Sequence, residues 1–228
     1  MTNKVIIFDA GPLISISMNG LLDLVKKLRG IFHGKFIITK EVKKEIIDKP
    51  IRIKRFELEA LKIKQLLDDG ILEFPTSLKI SDAEISKKTE EILNIANNTF
   101  MSNKKSISII HSGEASCLAL SKILDQKKIK NVIAIDERTT RILGEKPENM
   151  KKLLGEKLHT NINPKPQNFK FFGGFKFIRS AELVYVAYKK GLVDIKDSEL
   201  LLDALLYAVK FKGCAISNDE IREIKKLK

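Results

Sequence analysis

The sequence is poor in the residues that build disulfide frameworks and zinc sites, with two cysteines and three histidines among 228 residues. Cys117 and Cys214 lie far apart and form no Cys-x-x-Cys pair, so we expect free thiols and a reducing, cytoplasmic environment. His33, His111 and His159 are isolated and lack the spacing of metal ligands. Neither a disulfide scaffold nor a zinc ribbon is therefore expected.

Long apolar runs are also missing. No stretch approaches the roughly 18 apolar residues that a membrane-spanning helix needs, so we expect no membrane partner. The first apolar stretch is interrupted by Asp9 and by the pair Gly11 and Pro12, which is unlike a signal peptide. Hydrophobic residues make up 43% of the chain and charged residues 31%, which is typical of a soluble globular protein.

The charge of the chain is unbalanced, with 42 lysines and arginines against 29 acidic residues and a formal net charge of +13. A surplus of this size favours an anionic partner, with nucleic acid ahead of an acidic membrane surface. The lysine pairs are scattered along the chain, so the alternative that they only solvate exposed helix faces stays open.

Apolar runs and amphipathic segments alternate along the chain. The runs predict strands at 5–8, 34–39, 70–75, 131–136 and 173–178, with helices between them. This alternation predicts an α/β fold of three layers, α/β/α, around a mostly parallel sheet. We expect one domain over 1–228, with its core at about 4–144 and 173–195, insertions at about 76–111 and 147–172, and extra C-terminal helices at about 196–228.

Local signals refine this outline. Thr39, Ser81 and Ser112 stand where three predicted helices begin, and their hydroxyls suit helix capping. The segments 97–113 and 147–172 carry no clear periodicity and are expected to be irregular.

The stretch "VIIFDAGPLIS" ends a buried strand at Asp9 and then turns into a helix. Asp9 can cap that helix, since Asp accepts free backbone N–H groups and Pro12 suits a first helical turn. Alternatively, Asp9 belongs to a functional site, because sites of parallel α/β sheets form at the carboxyl ends of the strands. The choice depends on whether other carboxylates reach the same edge.

Three further carboxylates are expected there. Asp136 directly follows the apolar run "VIAI", Glu114 lies in the first turn of a helix, and Glu45 lies in the helix after the second strand. Each also has an ordinary explanation, as a helix cap, a partner of the helix dipole or a solvated side chain. Crowded carboxylates repel one another, and divalent cations relieve the repulsion. Oxygen ligands alone favour Mg²⁺ or Mn²⁺, which suits phosphodiester hydrolysis.

Four stretches resemble the sequence landmarks of the PIN-domain family, in the family's order: "FDAGPLI", "EVKKEII", "GEASCLAL" and "AIDERTTR". The stretch "AELVYVAYKKGLV" followed by "LLLDALL" is similar to the tail of a prokaryotic PIN branch related to the toxin nucleases. The resemblance covers about 4–48, 112–144 and 178–220, and it covers 76–111 and 147–172 poorly.

The resemblance implies a three-layer α/β/α fold and a ribonuclease that depends on Mg²⁺ or Mn²⁺ and cleaves single-stranded or structured RNA. It implies that the catalytic and metal-binding carboxylates are Asp9, Glu45, Glu114 and Asp136. Four of the five residues after Asp136 in the chain are candidates to support these ligands or to contact phosphate, namely Glu137, Thr139, Thr140 and Arg141.

The chain departs from the family's pattern at two places. Many members carry another acidic residue shortly after the one that corresponds to Asp136, whereas here Glu137 follows it directly. Cys117 stands three positions after Glu114, where many relatives carry a second acidic residue. The alternative function is an RNA-binding or assembly module of the same fold with little or no nuclease activity. A dehalogenase-type phosphatase fits less well, because Gly11 stands where its second Asp is needed. A homodimer and an antitoxin-like protein are further partners that the sequence leaves open.

Overall fold

The computed structural model describes residues 4–195 and 198–227. The strands in this part are β1 (Lys4–Phe8), β2 (Lys35–Ile37), β3 (Phe100–Ser102), β4 (Lys105–Ser106), β5 (Lys130–Ala134), β6 (Asn163–Pro164) and β7 (Phe177–Ile178). The helices are α1 (Ala10–Met18), α2 (Leu22–Ile31), α3 (Lys40–Lys43), α4 (Glu57–Asp68), α5 (Asp82–Asn97), α6 (Ser112–Gln126), α7 (Arg138–Glu145), α8 (Met150–Leu158), α9 (Ser180–Lys189), α10 (Ser198–Phe211) and α11 (Asn218–Lys226). A π-helical turn, Lys44–Asp48, continues α3.

The central sheet has the strand order β2-β1-β5-β7, and every neighbouring pair is parallel. β1 lies inside the sheet, which suits its buried apolar residues at 5–8. The chain passes from β1 to β2 on one side and later reaches β5 on the other side, so the strand order reverses between β1 and β5. The carboxyl ends of these two strands therefore flank the position where α/β sheets bind ligands.

The helices pack around this sheet in two groups. α6 packs on α5, β1 and β5, while α9 packs on α1, α2 and α10. α6 is buried along most of its length, and its fully buried residues include the small side chains of Ala115, Ser116 and Ala119. The predicted α/β class with a parallel central sheet is confirmed, and the arrangement is compatible with three layers.

The two insertions form a second sheet, with the order β4-β3-β6. β3 and β4 make an antiparallel hairpin, and Phe100 of β3 pairs with Pro164 of β6. The N–H of Lys165 donates to the carbonyl of Thr99 at 2.7 Å, and the ring of Phe169 stacks on Phe100. The expectation of irregular segments at 97–113 and 147–172 is therefore wrong, since these segments fold onto each other and the second contains α8.

The predicted strand at 70–75 is also wrong. The structure shows a single parallel bridge, between Ile37 and Glu73. Gly70 adopts a left-handed conformation at φ 68°, and Pro75 begins a 3₁₀ turn. Too few extended residues remain between these two points to form a strand.

Two of the three predicted helix caps are confirmed. Thr39 accepts a hydrogen bond from the N–H of Val42, and Ser81 accepts one from the N–H of Glu84. Ser112 is instead the first residue of α6, with His111 in the capping position. Residues 1–3, 196–197 and 228 of the predicted domain and its C-terminal tail lie outside the described residues. Within the described ranges, every helix is too short or too polar to span a membrane.

Candidate active site

Asp9 lies at the carboxyl end of β1, where its N–H donates to the carbonyl of Ala134 at 2.9 Å. Its Oδ2 accepts a hydrogen bond from the N–H of Gly11 at 3.3 Å, so Asp9 does cap α1. Its Oδ1 is buried and has no hydrogen-bond partner among the described residues. Capping therefore uses one carboxylate oxygen and leaves the other free for a ligand.

Burial raises the pKa of Asp9 to about 7. The negative charge of Glu114 and, to a smaller degree, that of Glu45 raise it as well, while the N–H groups of Gly11 and Ala10 oppose the rise. An ionised Asp9 is thus unfavourable in the folded protein unless a cation compensates its charge.

Glu114 lies in the first turn of α6, and its Oε2 accepts a hydrogen bond from the N–H of His111 at 2.5 Å. Burial raises the pKa of Glu114 to about 7, although the His111 N–H lowers it. The charges of Glu137 and Glu45 add to the rise. Glu114 therefore fills the ordinary place of an acid at a helix start and also belongs to a group of like charges.

Glu45 belongs to the π-helical turn after α3, and its carboxylate lies against Gly113 at the start of α6. A Cβ atom on Gly113 would lie 2.8 Å from both carboxylate oxygens. The hydroxyls of Thr39 and Ser116, 2.6 Å apart, connect α3 to α6 beside this contact. Glycine at position 113 thus leaves room for the close approach of Glu45 to α6.

Asp136 follows β5 and lies beside Asp9, with Gly11 between them. A Cβ atom on Gly11 would lie 3.4 Å from the Cβ of Asp136 and 3.6 Å from Oδ2 of Asp9. The carboxylate of Asp136 accepts the N–H of Ser180 at 2.8 Å and its hydroxyl at 2.8 and 3.0 Å. Burial raises the pKa of Asp136, and the Ser180 hydrogen bonds oppose this rise. Asp136 therefore caps α9 rather than α7.

The predicted supporting residues take different positions. Glu137 caps α7 by accepting a hydrogen bond from the N–H of Thr140 at 2.7 Å, and its negative charge raises the pKa of Glu114. Thr139 and Thr140 are buried in the first turn of α7. Arg141 donates to the carbonyl of Ala215 at 3.0 Å and so braces the segment before α11.

Asp9 and Glu114 lie within electrostatic reach of each other and of Glu45, and Glu137 lies within reach of Glu114. We refer to these four residues as the acidic cluster. In the described part of the chain, no three Asp, Glu, His or Cys side chains are placed to hold one metal ion together. Binding one ion between Asp9, Glu45 and Glu114 would therefore require these side chains to rearrange.

Ser180 fixes the carboxylate of Asp136 and is not among the residues predicted from the sequence. Ser180 follows β7 at the same sheet edge as Asp9, so its place directly after a parallel strand was the available signal. The neighbouring Arg179 is buried and forms ion pairs with Glu182 and Glu220, which ties α9 to α11. These contacts fix the start of α9 next to the site.

Ser180→Ala is expected to lower the free energy of unfolding by about 1–3 kcal/mol, because it leaves the buried Asp136 carboxylate with fewer donors. Urea denaturation at neutral pH measures this loss. Ser86→Ala, at an exposed position of α5, is the control and should stay within about 0.5 kcal/mol of the parent. A Ser180→Ala protein as stable as the control would show that the hydroxyl is dispensable.

Comparisons with known proteins add no assignment. No protein-family model, curated protein or solved structure matches this chain. The chemistry of the acidic cluster is therefore the basis for a function.

Proposed function

We propose that this protein is a metal-dependent ribonuclease of the PIN type, which hydrolyses phosphodiester bonds of single-stranded or structured RNA at the acidic cluster. The observation that carries the proposal is Oδ1 of Asp9, a buried carboxylate oxygen without a partner among the described residues. Burying an uncompensated charge is costly, and a bound cation removes that cost. The four motifs that resemble PIN landmarks support the same function.

The donor atoms fit a hard divalent cation. Asp9, Glu45 and Glu114 would supply carboxylate oxygens, and Asp136, which lies near Asp9 across Gly11, would be a fourth ligand of the proposed site. The nearby thiol of Cys117 is not a competing ligand, because it donates to the carbonyl of Phe8 at 3.7 Å and burial raises its pKa. Oxygen donors alone favour Mg²⁺ or Mn²⁺ over Zn²⁺. When bound, such an ion supplies Lewis acidity and an activated water.

The chain's own residues position this chemistry. Asp9 is held by the Gly11 N–H, and Glu114 is held by the N–H of His111. Glu45 reaches the start of α6 because Gly113 has no side chain. Backbone N–H groups thus hold Asp9 and Glu114, and the missing side chain at Gly113 admits Glu45, while a shared cation still requires these side chains to rearrange.

A second candidate is an RNA-binding or assembly module with little nuclease activity. The observation that favours it is the hydrogen bonding of Asp136, whose two carboxylate oxygens both accept from Ser180. An Asp136 that only caps α9 would leave fewer ligands for an ion. The two candidates differ in whether the protein cleaves RNA when Mn²⁺ is added.

Glu114→Gln is expected to weaken Mn²⁺ binding by at least the roughly 10- to 100-fold that follows loss of a supporting metal-site group. The amide keeps one oxygen for the His111 N–H and a similar volume, so charge and one donor oxygen are the main losses. Calorimetric titration with Mn²⁺ and cleavage of a fluorescent RNA, with and without EDTA, measure the effect. Activity should recover only in part at high Mn²⁺.

The matched control is Glu156→Gln, which removes the same charge at an exposed position of α8. This variant should bind Mn²⁺ and cleave RNA like the parent. If Glu114→Gln gives the parent's isotherm and loses only a few tenths of a kcal/mol in stability, Glu114 is a helix-terminal acid alone. A parent that binds RNA but does not cleave it with Mn²⁺ would favour the second candidate.

A further inference from the structure

A groove of about 630 Å³ lies between α7 and the segment 215–217 that leads into α11. We call it the α7–α11 groove. Its lining begins at Arg138, the residue after Glu137 of the acidic cluster. Because α7 follows β5, the Arg138 end of the groove lies at the same edge of the central sheet as the carboxyl ends of β1 and β5.

The lining of the α7–α11 groove is positively charged. Arg138, Arg141 and Lys146 contribute to it, and the two arginines are neighbours one turn apart on α7. Arg138 and Lys146 are exposed, and neither forms an ion pair with a described residue. Two acidic residues also line the groove, and one of them, Glu220, forms an ion pair with Arg179 at 2.6 Å. Glu145 is then the one negative charge of the described lining that is not in this ion pair, and the lining carries three positive charges.

The floor of the groove is held in place by hydrogen bonds. The N–H of Ala215 donates to the carbonyl of Asp136 at 3.1 Å, and the Ala215 carbonyl accepts from Arg141 at 3.0 Å and from Arg179 at 3.2 Å. The Nε of Arg141 is buried without a partner among the described residues. Guanidinium donors that lack a partner favour anionic oxygen ligands. The groove is thus preformed and retains donor capacity.

The remaining lining suits a nucleotide rather than a simple anion. Ile142 and Ile216 provide apolar surface between the cations, which can cover a sugar or a base edge. The Ser217 hydroxyl accepts the N–H of Glu220 at 3.1 Å and still has its own proton to donate. Phosphate contacts from arginine, lysine and serine are the common ones in nucleic-acid complexes.

The cleft on the opposite flank of the acidic cluster has the reverse charge. Lys44 and Lys49 line it, but three acids do so as well, namely Glu41, Glu45 and Glu90. It lies beside α3, which follows β2, whereas the α7–α11 groove lies beyond β5. A polyanion is therefore disfavoured on the α3 side and favoured on the α7 side.

We propose that the α7–α11 groove binds the phosphodiester backbone of an RNA strand and holds it beside the acidic cluster. The proposal rests on the proposed function for the identity of the strand. Its geometric basis is independent of cleavage, because the groove contains none of the four residues of the acidic cluster.

The test is the double variant Arg138→Gln with Lys146→Gln, made in Asp9→Asn protein and kept in EDTA so that no RNA is cleaved. Fluorescence anisotropy with a labelled oligouridine measures affinity over a series of salt concentrations. Loss of two contacts should weaken binding roughly 10- to 30-fold near about 0.1 M salt and reduce the slope of log K against log salt by about 1.4. The control, Lys189→Gln with Lys190→Gln, removes two exposed charges at the far end of α9 and should bind like the parent.

Equal losses in the groove and control variants would overturn the proposal, since the attraction would then be diffuse. Unchanged affinity and slope in the groove variant would also overturn it. A polyglutamate peptide that displaces the RNA at equal charge would overturn it in favour of a site for an acidic protein segment. If the wild-type protein does not cleave RNA with Mn²⁺, the proposed nuclease function is wrong, but the proposed RNA-binding groove is not affected. The binding comparison is made without metal and so does not depend on cleavage.

Discussion

Asp9→Asn is expected to abolish Mn²⁺-dependent RNA cleavage and, in the absence of metal, to stabilise the protein at neutral pH. The asparagine oxygen can still accept the Gly11 N–H, so the cap of α1 is kept. The substitution removes a buried charge that lies near Glu114 and Glu45. Cleavage is lost for the same reason that stability is gained, because the charge that attracts the cation is also the charge that the metal-free fold tolerates poorly.

The stability gain should depend on pH in a defined direction. Burial raises the pKa of Asp9 from 3.8 to about 7, so the folded protein binds more protons than the unfolded chain between these values. The contribution of Asp9 to the free energy of unfolding therefore decreases as the pH rises toward 7, and it is lowest above that pH. The rise corresponds to at most roughly 4 kcal/mol for this one group. The difference between Asp9→Asn and the parent should thus be small near about pH 4 and largest above about pH 7.

Urea denaturation across this pH range in EDTA, together with the cleavage assay, measures both effects. Asp23→Asn, at an exposed position in the first turn of α2, is the control and should retain cleavage. Addition of Mn²⁺ should stabilise the parent and the control but not Asp9→Asn. An Asp9→Asn protein that is less stable than the parent at every pH would indicate that Asp9 serves only as a cap.

The edge of the sheet on which the carboxylates lie could be predicted from the sequence. The apolar runs before Asp9 and Asp136 fix two strands, and helices between successive strands require parallel pairing. Parallel strands end at a common edge, so these two residues come together without any knowledge of side-chain contacts. Glu45 and Glu114 follow because each lies in a helix that begins or passes at that edge.

The contacts that determine each carboxylate's orientation could not be predicted in the same way. Ser180 lies 44 residues after Asp136 in the chain, and no local pattern links the two. The second sheet likewise depends on pairing Phe100 with Pro164, residues that belong to separate insertions without periodicity. Local propensity and hydrophobic pattern describe a segment and its neighbours, whereas these contacts depend on which distant segments meet.

The close approach of Glu45 to Gly113 could not be predicted from the sequence either, because it depends on how two distant helices pack. Gly113→Ala is expected to remove most of the Mn²⁺-dependent cleavage while leaving the free energy of unfolding unchanged or raised by about 0.4–1 kcal/mol. The new Cβ would lie 2.8 Å from both oxygens of Glu45, so the flexible carboxylate must move away from α6. Alanine otherwise suits a helical position better than glycine does.

The matched control for Gly113→Ala is Gly30→Ala in α2, where a Cβ would meet no atom within 4 Å. Both variants should gain similar stability in urea denaturation, and Gly30→Ala should cleave RNA at the parent's rate. Gly113→Ala removes no charge and no donor atom, so a loss of cleavage at unchanged stability reports the position of the Glu45 carboxylate. Cleavage at the parent's rate in Gly113→Ala would exclude Glu45 from the site and leave Asp9, Glu114 and Asp136 as its only proposed ligands.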